Sequence, residues 1–176
     1  MIIRHTSQIG EPVIRKKALR VKDVQSVKTK KMVRDLIDSM RYHQLVGMAA
    51  PQIGISAQIF VTEIRKTETR KNPKQLDHLR VFINPRIIHV SKKQETDYEG
   101  CGSVADAQLF APVQRPNMVT IEALNEYGEV FILEAKGLLA RVIQHEFDHL
   151  QGKVFLDRVR VTTAILDRQN YISRQK

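Results

Sequence analysis

The sequence predicts an α+β fold in which antiparallel β-sheets pack around a central helix, with a further helix in the N-terminal part. Apolar residues recur at helical spacing in two stretches, at about 27–43 and 136–150, and this periodicity predicts two amphipathic helices. Segments of alternating polarity lie between them. The order of helix, strands and helix lacks the strict alternation of a doubly wound sheet, and it therefore favours α+β.

The first helix is expected over about 27–43, after a basic and irregular opening that Gly10 and Pro12 interrupt. Its apolar stripe should face the core. The stripe consists of Val33, Leu36, Ile37 and Met40. Residues 45–54 follow the helix, and their small side chains, proline and glycine predict a close-packed loop.

Alternating polar and apolar residues predict four strands after this loop. They are expected at 58–64, 81–90, 117–124 and 130–135. The second strand should be interrupted at Asn84 and Pro85, and the polar stretch 65–77 should form an exposed loop. The last two strands should form a hairpin, because residues 125–128 have a strong turn sequence that ends in glycine.

A length of 176 residues suits one domain with a sizeable core, expected over 1–176. No apolar run approaches the roughly 20 residues that a membrane-spanning helix needs. The opening residues also lack the apolar region of a secretory signal. We therefore expect a cytoplasmic protein without a membrane partner. The single cysteine, Cys101, cannot form an internal disulfide.

The formal net charge is +10, and much of the positive charge lies between Arg4 and Arg34. A solvated surface is the ordinary interpretation of such a run. The alternative is a face that docks to an anionic partner such as ribosomal RNA, because a basic surface speeds encounters with anions. We expect no sequence-specific binding of nucleic acid. The most prominent cations are Arg15, Lys16, Lys17, Lys28, Lys30 and Lys31.

The second helix, expected over about 136–150, carries the clearest chemical motif. Its buried side should consist of Leu138, Leu139, Val142 and Ile143. His145 and His149 are four positions apart, so both imidazoles lie on one helix face and can bind one metal ion. Glu146 lies beside them as a general base, which is the logic of the HExxH motif. The tail from Asp157 is predicted to add a short helix.

A third metal ligand is needed, because catalytic sites generally use three protein ligands and one open position. No histidine follows His149, and the only acids downstream of it are Asp157 and Asp167. Upstream, Cys101 lies between two glycines, which suit a tight turn close to a ligand. A thiolate is a strong ligand for a first-row metal. Cys101, His145 and His149 are therefore the candidate ligands.

Three segments resemble the signature motifs of the peptide deformylases, and they occur in the order that the family has. They are GMAAPQIG at 47–54, EGCGS at 99–103 and HEFDHLQG at 145–152. The resemblance covers most of the chain and is weakest at its C-terminal end. A cysteine in this turn together with a downstream HExxH motif is hard to attribute to another family.

The resemblance implies a single catalytic domain built around a metal-binding helix. It implies a hydrolase that removes the N-formyl group from the formylmethionine of newly made polypeptides and releases formate. One divalent metal ion per chain is implied, natively iron(II), with zinc, nickel or cobalt able to occupy the site. Cys101, His145 and His149 would be its ligands, and Glu146 the general acid and base.

The resemblance also assigns the groups that would stabilise the reaction's oxyanion. These are the side-chain amide of Gln52 and the backbone N–H of Gly102, and loss of one such donor typically costs about 100-fold in rate. Without the resemblance, Gln52 would be an ordinary polar residue that closes a turn. Glu99 would line the pocket or orient a ligand, and a solvated Glu99 is the alternative.

An N-formylmethionyl peptide is the implied substrate, and its methionine side chain needs an apolar pocket. Leu138 and Val142, on the metal-binding helix, are the candidate wall of that pocket. The backbone around Val46 and Gly47 would bind the peptide as an added strand.

The sequence departs from the family pattern at four positions near the motifs. Leu45 stands where the first motif often begins with a glycine, two residues before Gly47. Gly102 replaces a leucine or glutamate whose side chain helps to cover the metal. Ala105 replaces a proline, and Arg141 stands where some members have an apolar residue. These changes affect rate and specificity more than metal binding, so a divergent member of low or altered activity is an alternative.

Two other classes of function remain as alternatives. A different HExxH metal hydrolase, such as a peptidase, would share the helix motif but not the cysteine turn. A binding protein on a deformylase-like scaffold would not need an intact Glu146. Outside the motifs, Asp148 should face away from the metal and is expected to pair with Arg115. The histidines that match no ligand spacing are His5, His43, His78 and His89.

Overall fold

The computed structural model describes residues 3–73 and 75–174. Within them the helices are α1 (Pro12–Arg15), α2 (Val27–Tyr42), α3 (Gly137–Leu150) and α4 (Arg168–Ser173). The strands are β1 (Gly47–Ala49), β2 (Ile59–Ile64), β3 (Asp77–Val90), β4 (Gln94–Gly100), β5 (Leu109–Pro116), β6 (Met118–Leu124), β7 (Val130–Lys136) and β8 (Leu166–Asp167). No helix in this part of the chain is long and apolar enough to cross a bilayer.

Two antiparallel sheets flank α3, which confirms the predicted α+β class. The larger sheet has the strand order β1-β2-β3-β6-β7, and the smaller has the order β4-β5-β8. Helix α3 contacts strands of both sheets, including β1, β2 and β5. The helix is therefore central, as expected, and its two sides face different sheets.

Strand β2 shows how the larger sheet receives a helix on each face. Ile59 and Val61 pack in the cluster under α2, whereas Phe60 and Ile64 pack in the cluster under α3. Side chains alternate across a strand, so consecutive apolar residues serve both faces. Burying both faces explains why β2 is an almost continuous apolar run.

Helix α2 has the predicted extent and a defined start. The side chain of its N-cap residue, Ser26, accepts a hydrogen bond from Thr29 N at 3.2 Å, which satisfies one of the free N–H groups of the first turn. Leu36 and Met40 on its inner face are fully buried. The apolar stripe is therefore core, as predicted.

The predicted strands and the hairpin are present, with small shifts at their ends. Strands β6 and β7 pair from Met118 to Leu124, and the Asn125 side chain caps the turn by accepting from Glu129 N at 2.9 Å. Strand β3 begins at Asp77, earlier than expected. The strand continues through Asn84, but its pairing with β6 is interrupted there as predicted: Asn84 adopts φ +52° at a β-bulge, and pairing resumes at Arg86.

Three local predictions were wrong. Residues 45–54 are not only a loop, because β1 pairs with β2 there and a 3₁₀ turn follows at Ala50–Ile53. The irregular N-terminal stretch contains the short helix α1. Strands β4 and β5 were missed, since β4 is largely polar and β5 contains two prolines, which are rare inside strands. The two strands are stabilised by pairing with each other, in a continuous register that runs from Gln94 opposite Pro116 to Gly100 opposite Phe110.

Gly152 lies just after α3 and packs against the backbone at the end of α1, in a conformation that requires glycine. It has φ +73°, and a Cβ atom there would overlap the carbonyl oxygen of Arg15. Gly54 has a similar φ of +78°, but a Cβ atom there would meet only Ser7 Oγ, at 3.8 Å. Substitution at Gly54 would therefore introduce backbone strain alone, whereas substitution at Gly152 would introduce the same strain and a steric clash.

We expect Gly152→Ala to lower the free energy of unfolding by about 3 kcal/mol and Gly54→Ala by about 1 kcal/mol, because only the first adds overpacking to the cost of a left-handed residue. Urea denaturation of the two variants and the wild type measures both values. Equal losses in the two variants would contradict the predicted clash at Gly152.

Candidate metal centre and active site

Two buried side chains, Cys101 and His149, and the largely buried His145 converge between α3 and the turn that follows β4. Helix α3 places His145 and His149 one turn apart, with ring centroids separated by 5.1 Å. Cys101 Sγ lies 3.2 Å from His149 Nε2. One ligand atom from each of the three residues lies within 4.8 Å of the others. The predicted triad is therefore assembled around a common point.

The donor set fits a divalent first-row metal. His145 Nδ1 lies 2.9 Å from Glu99 Oε2, so the Nδ1–H can donate to the carboxylate and leave Nε2 for a metal. A thiolate and two imidazoles suit iron, zinc, nickel and cobalt alike. Cys101 and His149 are buried, whereas the His145 side chain is 11% exposed and lines the pocket. These residues can hold the metal that the motif implies.

Electrostatics distinguish the two histidines. Burial lowers the pKa of His149 well below its usual value, because the charged imidazolium is poorly solvated there. Burial also opposes charge on His145, but hydrogen bonds to Cys101 and Glu99 outweigh it and raise the pKa of His145. Metal ligands bind in their deprotonated forms, so metal affinity at this cluster should depend on pH.

Glu99 lies behind His145 in a cage of cations. Arg115 donates to its two oxygens from Nε and Nη2 at 2.6 and 2.8 Å, and Arg141 Nη1 donates to Oε1 at 2.8 Å. Burial alone would raise the pKa of Glu99, but the hydrogen bonds from Arg115 and His145 hold it well below its usual range. Of the two expected roles for Glu99, this geometry supports orientation of a ligand.

Arg115 connects this cage to the far side of α3. Its side chain is 2% exposed, and Nη1 donates to Asp148 Oδ2 at 2.8 Å. The expected pairing of Asp148 with Arg115 is therefore confirmed. Burial would raise the pKa of Asp148, but hydrogen bonds from Arg158 and Arg115 lower it. Both acids stay ionised, so the buried guanidinium is neutralised from two sides.

Glu146 has the opposite environment. It is 3% exposed, and its Oε2 has no hydrogen-bond partner among the described residues. Burial raises the pKa of Glu146 to about 7. Gly47 packs directly against it, because a Cβ atom at residue 47 would lie 2.5 Å from Glu146 Oε1 and 2.8 Å from Val142 Cγ1. Only glycine lets β1 approach the helix this closely.

Gln52 is anchored so that its amide nitrogen faces the metal ligands. Its Oε1 accepts a hydrogen bond from Ala49 N at 2.7 Å, and its Nε2 lies 3.6 Å from Cys101 Sγ. Gly102 follows Cys101 in the turn and is buried. Gln52 and Gly102 line one pocket together with His145 and Glu146. The two predicted donors are therefore brought to the same cavity.

The other predicted site residues also line this pocket. They are Val46, Gly47, Glu99, Leu138 and Val142. The pocket has further lining residues that the sequence did not single out as site residues, namely Arg70, Tyr98 and Gly100. Arg70 lies in a polar stretch with no distinctive pattern. Tyr98 could have been noticed only from its place just before the EGCGS motif.

The remaining histidines stay outside the metal cluster. His43, which lies near the first motif, places Nε2 at 2.9 Å from Arg4 O. Within residues 3–73 and 75–174, Cys101, His145 and His149 are the group of three His, Cys, Asp or Glu side chains close enough to hold an ion. The histidine pair four residues apart thus predicted the helix that carries two of these three side chains.

Comparisons with known proteins agree with this geometry. The polypeptide deformylase family model matches residues 3–164. A peptide deformylase of Dictyoglomus thermophilum is 40% identical over 157 residues, which span 89% of this chain and 93% of the relative. These matches and the cysteine turn favour a deformylase over an unrelated HExxH peptidase.

Solved structures of deformylases share the fold. A Met-Ala-Ser-bound class I type b enzyme of Acinetobacter baumannii superposes with a TM-score of 0.84 at 28% identity, covering 90% of this chain and 99% of that chain. The enzyme of Thermotoga maritima has a TM-score of 0.78 at 32% identity, covering 92% and 100%. The chain therefore belongs to the peptide deformylase family, metal-dependent hydrolases that remove the N-formyl group from newly made peptides.

Proposed function

We propose that Cys101, His145 and His149 hold one divalent cation, natively iron(II), and that Glu146 moves the proton during removal of the formyl group. The convergence of the three ligand atoms beside a buried, unpartnered Glu146 carboxylate is the observation that supports this assignment most directly. The preference for iron rests on the resemblance to the family, because the ligand set suits several metals. When bound, the cation would lower the pKa of water and polarise the formyl carbonyl.

Glu146 is suited to handle protons at its Oε2 atom. A carboxyl with a pKa near neutrality both accepts and returns a proton readily at physiological pH. Burial gives Glu146 a pKa of about 7, whereas Glu99 stays ionised beside Arg115. In the proposed reaction, Glu146 takes a proton from the attacking water and delivers it to the leaving amine nitrogen.

Two N–H donors would stabilise the negative charge on the formyl oxygen. The Gln52 side chain is fixed by the hydrogen bond from Ala49 N, which directs its amide nitrogen into the site. The backbone N–H of Gly102 belongs to the residue next to the ligand Cys101. Donors held in place before the reaction stabilise charge without reorganising.

The substrate would lie between β1 and α3. Strand β1 is the edge of the larger sheet, and Val46 and Gly47 line the pocket at that edge. An extended peptide can add there as a further strand. Leu138 and Val142 lie one helical turn apart in the pocket wall, where they would contact the methionine side chain. The solved relative with bound Met-Ala-Ser supports this class of substrate.

We further propose a single cytoplasmic catalytic domain that contacts ribosomal RNA through its basic N-terminal region. Lys16, Lys17, Lys28 and Lys30 are exposed. By contrast, Arg15 is paired with Asp157 at 2.6 Å, and Lys31 with Asp35 at 2.9 Å. The four exposed lysines therefore carry the proposed contact, which can coexist with catalysis on emerging chains.

Glu146→Ala should retain the metal but lose deformylation of formyl-Met-Ala-Ser by at least about 100-fold, because general acid–base groups typically contribute that much. The protein should be purified without oxygen, its metal content measured, and formate release assayed. Glu126→Ala, an exposed substitution, is the control and should leave activity unchanged. Full activity of Glu146→Ala would overturn the mechanism, and cleavage of the unformylated peptide would favour a peptidase.

Metal-free Glu146→Gln should become more stable than metal-free wild type as the pH rises. A pKa near 7 in the folded protein against about 4.3 in the unfolded chain means that the stability from protonated Glu146 is present below about pH 4 and is lost as pH rises to about 7. The glutamine variant lacks this loss. Thermal unfolding of both metal-free proteins at pH 5 and pH 8 measures this loss. If their unfolding temperatures differ by the same amount at the two pH values, the raised pKa of Glu146 is contradicted.

Ribosome binding should be sensitive to salt, since contacts with phosphates release counterions. We expect co-sedimentation with ribosomes to fall by about tenfold between 50 and 200 mM salt. Lys16→Glu/Lys17→Glu should weaken it at low salt, and Lys92→Glu/Lys93→Glu, also exposed, is the control. Equal co-sedimentation at low and high salt would count against an electrostatic contact.

A further inference from the structure

Leu45 fills the space beside Gly102 in the wall of the candidate site. A Cβ atom at residue 102 would lie 3.1 Å from Leu45 Cδ1 and 3.3 Å from Thr6 Cγ2. Leu45 and Gly102 both line the pocket that contains His145 and Glu146. The space in front of Gly102 is thus already occupied by a side chain from another part of the chain.

Leu45 lies where this pocket meets two neighbouring surface cavities, and it lines all three. It lines a neighbouring cavity of about 300 Å³ together with Gly102, His43 and Asp106. It lines a second one that extends to Thr69. Its isobutyl group therefore places apolar surface at the junction between the candidate site and these cavities.

The backbone fixes the position of this side chain. Leu45 N donates to Met40 O at 3.0 Å, and Arg65 Nη2 donates to Leu45 O at 3.2 Å. The side chain also packs against the core cluster beneath α2. The end of α2 and Arg65, the residue after β2, therefore hold the backbone of Leu45.

We propose that Leu45 is a positioning residue that covers Gly102 and excludes water from the reaction centre, and that positions 45 and 102 act as a pair with room for one branched side chain. This inference rests on the proposed role of the Gly102 N–H as an oxyanion donor. Hydrogen-bond donors act more strongly where water is excluded. A second branched side chain at residue 102 would overpack the wall.

Three variants test the pair: Leu45→Ala, Gly102→Leu and the double variant. The rate at which an aromatic disulfide reagent modifies Cys101 in metal-free protein reports access to the site without any catalysis. We expect Leu45→Ala to raise that rate by about tenfold and the double variant to return it close to wild type, because coupled neighbours are strongly non-additive. Leu19→Ala, at an exposed leucine in a loop, is the matched control.

Deformylation and unfolding complete the test. Gly102→Leu alone should lower the unfolding temperature by about 5 °C, because overpacking costs stability, and the double variant should recover it. The value of kcat/KM should fall in each single variant and recover in the double. Unchanged Cys101 reactivity in Leu45→Ala, or effects that simply add in the double variant, would overturn the pairing. A fully active Glu146→Ala enzyme would instead overturn the proposed function. In that case the Cys101 modification rates of the Leu45 and Gly102 variants should still be as predicted.

Discussion

The buried guanidinium of Arg115 is the constraint on which the site depends. It comes from β5, and it is neutralised by Glu99 at the end of β4 and by Asp148 on α3. A buried charge is tolerated only when its partners are in place, and removing one partner leaves an uncompensated charge. The smaller sheet and the central helix are therefore held in one relative position. That position brings the Cys101 turn to the histidine pair.

The same network gives two neighbouring carboxylates, Glu99 and Glu146, opposite pKa shifts. Glu99 is surrounded by donors, stays ionised and holds the His145 ring through Nδ1. Glu146 is equally buried, but none of the described residues donates to its Oε2, and burial raises its pKa to about 7. One acid is thus suited to orienting a ligand and the other to transferring a proton. Environment, and not residue type, makes this difference.

The departures from the family pattern have structural explanations at two of the four positions. Leu45 fills the space that Gly102 leaves, so the wall of the site is closed from a different residue. Arg141 lines the pocket, but its head group is held by hydrogen bonds: it donates to Glu99 Oε1, to Val113 O and to Glu95 O. Its charge is therefore satisfied by the same cage that holds His145. An altered sequence can in this way keep the family's metal centre.

The sequence by itself determined the metal-binding helix, the hairpin and the α+β class. These follow from local rules, since residues four apart share a helix face and a turn sequence joins two strands. Only the tertiary structure decided the strands β4 and β5, the cage around Glu99, the approach of Cys101 to the histidine pair, and the places of Arg70 and Tyr98 in the pocket. These depend on pairing and charge neutralisation between distant segments. A polar strand such as β4 has no periodicity of its own that could reveal its partner.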